Sequence, residues 1–521
     1  MKKKKLLIFH SQAKFKVKEE FDFYVNLGDG NLEIKNSKQI SLKNYYKKNY
    51  DYFRKKFINS LNKKILQSRD EMNLFNELEI FNLRNDKIND IDTIVNILIL
   101  KKIVSEFKID NIFLITDNQL TKSVLIQIYP NIEIVNFQKR NTYLLPFFKI
   151  TSFYLKTFFI IIMTKFFKNY RLLKNNYNEA CISLAPFFYK DQRENFFKNK
   201  NNLKLNFLLT DETHLNFSII DIYKILKINY ENLVHVESAI NFKDLVCGLL
   251  RSYKYIYYIN GLNMKFNVEM TDFSLFYKKH LIISAINRSK LNIYNKAVPN
   301  LIERFQIKKF NMYLFEYSFG FYLIKLIKMK FKKVDIIGYQ HGIFSDKLMW
   351  FDILLRKKKN TLYFPNKIVC FNSQSLKDYK KILPNYINYK LVDKPLSKIS
   401  ILFQSLKKKS LKKHILILPG THDAKIIYER FKNRALNSDK SNEIFYFKFH
   451  PKNMVVVSDY KNLKIITSIN NKKFNFVLIS SSSTLVYDFY KLKKKFMVYD
   501  IDNKQNLISS SFSSKIKFFE I

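Results

Sequence analysis

The sequence predicts an α/β fold with two parallel-sheet domains facing a cleft, and three observations point to it. Short apolar runs rich in Ile, Val, Leu and Phe recur at 6–9, 111–115, 181–184, 205–209, 233–236, 334–337, 367–371, 414–418 and 476–479, each of strand length. Stretches of helical spacing separate many of them, at 91–107, 242–258, 275–294, 313–329 and 485–492, and that alternation is the pattern of a parallel sheet. Residues able to do chemistry also gather just after predicted strands, where open α/β sheets bind ligands.

Taken in order, Lys2 to Lys5 followed by Leu6, Leu7, Ile8 and Phe9 imitates a signal peptide, but the apolar run stops at His10 and reads as a buried strand. Residues 32–83 are rich in Lys and Asn and carry no motif. The strand at 111–115 exits into Thr116, Asp117 and Asn118, where Asp117 reads as a helix cap. Residues 144–168 are the most apolar, yet Lys149, Lys156, Lys165 and Lys168 interrupt them. Their longest uncharged run, 157–164, falls short of the roughly 20 residues of a bilayer span, so membrane contact is expected to be peripheral. Asp211 and His214 follow a strand at an offset that permits a paired site. The strand at 334–337 ends in Gly338-Tyr339-Gln340-His341-Gly342, where two of only 8 glycines bracket a histidine. Gly is kept where φ is positive or where another group approaches closely. The basic segment 394–413 reads as a linker, dividing the chain into 1–393 and 414–521.

In the second part, the strand at 414–418 runs into Pro419, Gly420, Thr421, His422 and Asp423. Phe445, Phe447 and Phe449 alternate with Tyr446, Lys448 and His450, and Pro451 ends that strand. Residues 476–479 exit through Ser480, Ser481, Ser482, Ser483 and Thr484 into a helix with Leu485, Phe489 and Leu492 at helical spacing. These hydroxyls and backbone N–H groups suit an anion at a helix N-terminus, although a solvated N-cap would look the same. With glycines at 28, 30, 248, 261, 320, 338, 342 and 420, no glycine-rich phosphate loop can be written. Phosphate binding would fall to the serines.

A chain of 521 residues exceeds one core, and 47% hydrophobic residues are ample for burial. Cys181, Cys247 and Cys370 share no metal or redox spacing and fit a reducing compartment. The net charge of +47, from 91 basic and 44 acidic residues, suits a polyanionic partner. Inflated Lys, Asn, Ile, Phe and Tyr match a base-composition bias, but the charge acts whatever its origin. Lysines spread along the chain favour a cytoplasmic protein drawn to anionic lipid over a nucleic-acid binder. Asp500-Ile501-Asp502 imitates a metal-binding pair, which among 44 acids arises cheaply, and no metal is expected.

The string Lys448-x-His450-Pro451, the serine run, Leu485-Val486-Tyr487-Asp488-Phe489-Tyr490 and Phe496-Met497-Val498-Tyr499-Asp500 resemble the carboxyl-terminal halves of two related groups. One is the bacterial sialyl-, polysialyl- and capsule-type glycosyltransferases; the other is the CDP-glycerol glycerophosphotransferases. Gly338-Tyr339-Gln340-His341-Gly342, preceded by Glu316, resembles a signature of surface carbohydrate biosynthesis proteins. The likeness covers about residues 310–502. It implies a GT-B-like fold of two Rossmann-like domains, with the acceptor on 1–393 and the nucleotide donor on 414–521. Gly420, Lys448, His450, Pro451 and Ser481 to Thr484 would then hold donor phosphate, and Asp488 the ribose, where many such transferases carry a Glu. His341 would be the base or a positioning group, and Glu316 a second catalytic residue. The long terminal helices that usually cross back to the first domain are not found after Asp500. The implied activity is transfer of a sugar from a nucleotide-activated donor, cytidine by resemblance, in capsule or O-antigen synthesis. The implied partners are that donor, a saccharide or lipid-linked acceptor and the inner membrane's cytoplasmic face, with no cofactor and no nucleic acid. Transfer of a polyol phosphate from a CDP donor, and a non-catalytic transferase-like scaffold, are the alternatives.

Overall fold

A computed structural model describes residues 3–11, 15–28, 32–67, 90–137, 145–166, 176–184, 202–209, 219–227, 232–261, 265–313, 315–340, 342, 344–348, 362–393, 396–405, 412–420, 423–436, 442–450, 458–470, 472–501 and 504–520. The chain is α/β, as expected, and is built on three large parallel sheets. The first runs Lys38–Gln39, Phe23–Asn26, Lys5–His10, Asn111–Thr116, Glu133–Phe137. The second runs Leu233–His235, Leu203–Phe207, Glu179–Leu184, Lys309–Tyr313, Asp335–Tyr339, Lys367–Cys370, Asn388–Leu391. The third runs Leu463–Ile465, Glu443–Phe447, Lys413–Leu418, Phe476–Ile479, Phe496–Asp500, Phe518–Glu520. In all three the chain enters at a central strand, winds to one edge, returns and winds to the other. The crevice where the winding reverses is the ligand position of doubly wound sheets.

The second and third sheets answer to the two that the sequence predicts, and the first is an addition within residues 1–393. Its shorter strands, such as Lys38–Gln39, leave little periodicity to read. Helix Leu42–Gln67 runs through the segment without a motif, burying Tyr46, Tyr50, Phe53, Phe57 and Leu61 on one face. One apolar cluster joins the first and second sheets, from Leu6 and Ile94 through Phe276 to Phe310 and Ile368. The third sheet has a separate cluster on each face. The expected linker is partly structured: Lys398–Leu402 is helical, and Phe403 is buried with Phe474 and Phe489 in the third sheet's core.

A buried carboxyl sits beyond the carboxyl end of Leu233–His235. Glu237 Oε1 accepts from the Leu208 and Leu209 N–H groups at 2.8 and 3.2 Å and from the Tyr294 hydroxyl at 2.5 Å. Burial nevertheless dominates and pushes Glu237 up to about 7. Nearby His235, whose Nδ1 accepts from Asn206 Nδ2 at 3.0 Å, is lowered by burial to about 4.

The two groups act oppositely on stability. From pH 4.5 to about 7 folded Glu237 keeps a proton that the unfolded chain has lost, so its contribution falls as pH rises. His235 contributes more as pH rises from about 4 to 6.5. The difference in unfolding free energy between wild type and Glu237→Gln isolates the first. By urea denaturation it should fall by on the order of 2–3 kcal/mol over that window. A pH-independent difference would show that Glu237 ionises alike in both states.

Candidate functional site

The reversal point of the third sheet lies between Lys413–Leu418 and Phe476–Ile479, and a carboxylate ties the loops there together. Asp423 Oδ1 accepts from the Gly420 N–H at 2.7 Å, and Oδ2 accepts from the Ser480 hydroxyl at 2.6 Å and the Tyr499 hydroxyl at 2.8 Å. Burial and the Asp423 charge hold the Tyr499 phenol well above its usual range, so it stays a donor. Ser480 is fully buried, its Oγ lies 2.9 Å from Ser482 Oγ and it accepts from the Ser482 N–H at 3.2 Å. Gly420 fits beneath this network because it lacks a side chain. A Cβ there would stand 2.5 Å from Ser482 Oγ and 2.8 Å from Ser480 Oγ.

Ser480 and Ser482 thus form an internal latch. Ser481 Oγ accepts from the Leu507 N–H and Ser483 Oγ from the Leu485 N–H, both at 3.3 Å, which leaves each hydroxyl proton for a ligand. Thr484 is the N-cap of helix Leu485–Lys491 without a side-chain cap bond, and at 7 residues that helix has a small dipole.

A polar seam joins the second and third sheets. Gln340 follows Asp335–Tyr339, donates to Ser375 Oγ at 2.8 Å and to the Gly342 carbonyl at 2.9 Å, and accepts from the Phe371 N–H at 3.0 Å. Ser375 and Asp378, on helix Ser373–Ile382, face the buried hydroxyl of the half-buried Tyr487 on the third sheet's helix. From the last segment Ser511 bonds Gln374, and the Ser510 N–H donates to Asp346 at 3.0 Å. Burial raises the Asp378 carboxyl, the Ser509 hydroxyl opposing it. Among the described residues, the crossing back to the second sheet is made by the short 509–513 segment.

A cavity of about 520 Å³ opens where the three sheets' elements meet, a size that suits a small ligand. Helix Leu42–Gln67 supplies Lys43, Lys47, Asp51 and Arg54, the turn near 346 supplies Asp346 and Lys347, and the loop after Phe496–Asp500 supplies Asp500, Lys504 and Asn506. Cations outnumber acids on this lining. Arg54 donates to the Asp346 carbonyl at 3.1 Å, fixing one wall. Burial lowers the Lys347 ammonium pKa, with Asp346, Asp500 and Asp51 pulling it back. The loop that lines the cavity also carries Leu507, the backbone partner of Ser481.

The structure distributes the expected site residues unevenly. Gly420 and Ser481 to Thr484 share the reversal point. Lys448 and His450 lie one strand away, after Glu443–Phe447, His450 exposed and Lys448 Nζ on the Thr467 carbonyl at 2.5 Å. Glu316, expected beside the catalytic base, is 1% exposed and takes the Tyr379 hydroxyl, so it braces the core instead of facing a cleft. Asp488, expected at the ribose, accepts from the Ser397 N–H at 2.9 Å and anchors the start of helix Lys398–Leu402. His341, Pro451, Asp211, His214 and Asp502 lie outside the described residues. Gly338 answers to close approach: a Cβ would meet the Phe315 ring at 2.7 Å and Pro365 at 2.9 Å. The sequence reading missed Asp423 and Tyr499 as a latch, and Arg54, Asp346 and Lys347 altogether. Among the described residues no cluster of His, Cys, Asp and Glu could hold a metal ion.

No family model matches the chain. Protein Ycf2 of Physcomitrium patens is 27% identical over 410 residues, 70% of this chain; the chain spans only 17% of that protein's length. Among solved structures, the glycotransferase of kitacinnamycin aligns with 67% of this chain and 87% of its own, at 8% identity and TM-score 0.38. The calicheamicin glycosyltransferase CalG4 aligns with 66% and 85%, at 8% identity and TM-score 0.36. The spinosyn rhamnosyltransferase SpnG covers 40% of this chain and 57% of its own, at 10% identity and TM-score 0.27. Likeness this distant decides nothing about chemistry.

The latch makes a direct prediction. Asp423→Ala leaves the buried Ser480 and Tyr499 hydroxyls without their acceptor and should cost about 2–4 kcal/mol of stability. Gly420→Ala should cost about 1–3 kcal/mol by overpacking, whereas Ser481→Ala should stay within about 1 kcal/mol. Denaturant unfolding followed by circular dichroism checks all three, and an Asp423→Ala chain as stable as wild type would dismiss the latch.

Proposed function

We propose that the protein is a GT-B-like glycosyltransferase that takes its sugar from a nucleotide-activated donor. The observation that carries this is the cationic cavity beside the reversal point of the third sheet, to which all three sheets' elements contribute. A nucleoside diphosphate or monophosphate donor supplies the negative charge that Arg54, Lys347 and Lys504 would meet, Lys43 and Lys47 being paired with Glu520. The Ser481 and Ser483 hydroxyls would donate to phosphate oxygens from the loop alongside. In the reaction an acceptor oxygen attacks the anomeric carbon, a base takes its proton, and the bond from that carbon to the phosphate oxygen breaks. The departing phosphate keeps the bonding pair, and the cations stabilise it. His341 is the proposed base on its sequence motif, and Asp346 is a carboxylate that lines the cavity.

The finer reading rests on the sequence motifs. It is a cytidine-activated donor used in capsule or O-antigen synthesis at the cytoplasmic face of a membrane, with a saccharide or lipid-linked acceptor and no further cofactor. Transfer of a polyol phosphate from a CDP donor would use the same cations but attack phosphorus.

Calorimetric titration with CMP-, CDP-, UDP- and GDP-linked sugars and with CDP-glycerol tests the proposal. One donor class should bind, and Arg54→Ala and Lys347→Ala should each weaken it about ten- to a hundredfold. His341→Ala should keep that affinity and lose transfer, because a base acts in the transition state. Binding of CDP-glycerol alone would select the phosphotransferase. Binding of none would leave a scaffold as the better account.

A further inference from the structure

Helix Leu145–Phe166 is apolar on two opposite faces. One face, with Ile150, Tyr154, Thr157, Ile161 and Thr164, is buried and packs on helices Phe242–Gly261 and Ser274–Asn292. Contact there is close: the Tyr154 hydroxyl donates to the Ser289 carbonyl at 3.0 Å, and a Cβ on Gly248 would stand 2.8 Å from that hydroxyl. The opposite face carries Phe148, Leu155, Phe159, Ile162 and Phe166, between 44% and 87% exposed. At about 100° per residue these five fall within an arc of roughly 60°. Lys149 and Lys156 lie on one flank of that arc and Lys165 on the other.

The outward surface continues onto the neighbouring helix. Phe158 and Phe242 have ring centroids 5.2 Å apart, and Phe147 and Tyr253 5.7 Å. Beside that contact Val246, Leu250 and Tyr257 are 58%, 63% and 78% exposed, with Lys243, Arg251 and Lys254 exposed along the same helix. By length and composition Pro146–Phe166 could cross a membrane. Its inner face is held in the protein, however, so the whole circumference is not available to lipid. An apolar stripe flanked by lysines is the form of a helix lying in the plane of the membrane interface.

We infer that these two helices are a docking surface for the anionic lipid face of a membrane, entered by Phe148, Leu155, Phe159, Ile162 and Phe166. Lys149, Lys156 and Lys165 extend sideways to lipid phosphates while their stems cover the apolar rim. The charge argues for lipid over a second copy, since a copy brings the same lysines and the same +47. The inference deepens the membrane-face part of the proposed function and rests on it, but is independent of donor and transfer.

The test uses the full chain with phosphatidylcholine vesicles, with and without phosphatidylglycerol, in low salt and in about 1 M salt, where the Debye length shrinks to about 3 Å. Cys247 is the exposed cysteine, Cys181 and Cys370 being buried, so an environment-sensitive fluorophore placed on it reports from the docking surface. Wild type should sediment with anionic vesicles, retain part of that binding in high salt, and shift the fluorophore emission to the blue. Phe148→Ser with Leu155→Ser and Phe159→Ser should lose the salt-resistant part, with partitioning weaker by about tenfold or more and an unchanged melting curve. Binding that vanishes in high salt and is equal in the triple variant overturns the docking surface and leaves a purely electrostatic membrane protein. No binding to either vesicle overturns the membrane reading too, and donor titration still judges the transferase separately. A dimer in solution that the triple variant converts to monomer assigns the surface to a second copy and overturns the inference.

Discussion

The carboxylate of Asp423 is the constraint on which the third sheet's functional edge depends. Doubly wound sheets place their reversal-point loops side by side but do not fix them, because each loop leaves its strand independently. Here one carboxylate takes a backbone N–H from the first loop, a serine hydroxyl from the second and a tyrosine hydroxyl from the neighbouring strand. Charge-assisted bonds of this kind exceed neutral ones roughly twofold in strength. Two of the serines, Ser480 and Ser482, are used up in the process, and the alternate ones, Ser481 and Ser483, bond only to backbone N–H groups of Leu507 and Leu485. The same requirement explains a glycine at 420, where the latch leaves no space for a Cβ.

The seam between the second and third sheets follows a different rule. Gln340, Ser375, Tyr487, Asp378, Ser509 and Asp346 make it polar and partly buried. A polar seam of this kind holds its two sides through directional contacts. The cavity opens at the edge of this seam, and its basic residues come from three places in the chain.

Much of the fold was legible in the sequence, and the reason is burial. Strands such as Phe476–Ile479 and Lys413–Leu418 are sandwiched between layers, so they appear as unbroken apolar runs. Of the first sheet only the strands Lys5–His10 and Asn111–Thr116 were legible, because Phe23–Asn26, Lys38–Gln39 and Glu133–Phe137 are short and partly exposed, with polar residues interspersed. Site residues divide in the same way. Gly420 and the serines could be found because local spacing put them after strands. Asp423 and Tyr499 are 76 residues apart, and only the crossover connections bring them together. A motif position does not state which way a side chain points: Glu316 turns into the core and Asp488 towards Ser397.

The overall charge needs separating from the charge that does something. A uniform +47 attracts any polyanion weakly and is screened within about 8 Å at physiological salt, so it selects nothing. Selectivity requires cations held in a fixed arrangement, with their hydration partly removed. At the cavity Arg54 is tied to a carbonyl of the turn opposite, and burial lowers the Lys347 pKa, with three aspartates opposing that shift only in part. On helices Leu145–Phe166 and Phe242–Gly261 the arrangement is the reverse: lysines stay at the margins and the apolar face is exposed. The same abundant residue therefore serves two physical ends, a concentrated field inside one cavity and a solvated rim around one apolar stripe. The difference lies in which backbone elements carry it and how far they are buried, and composition does not record that.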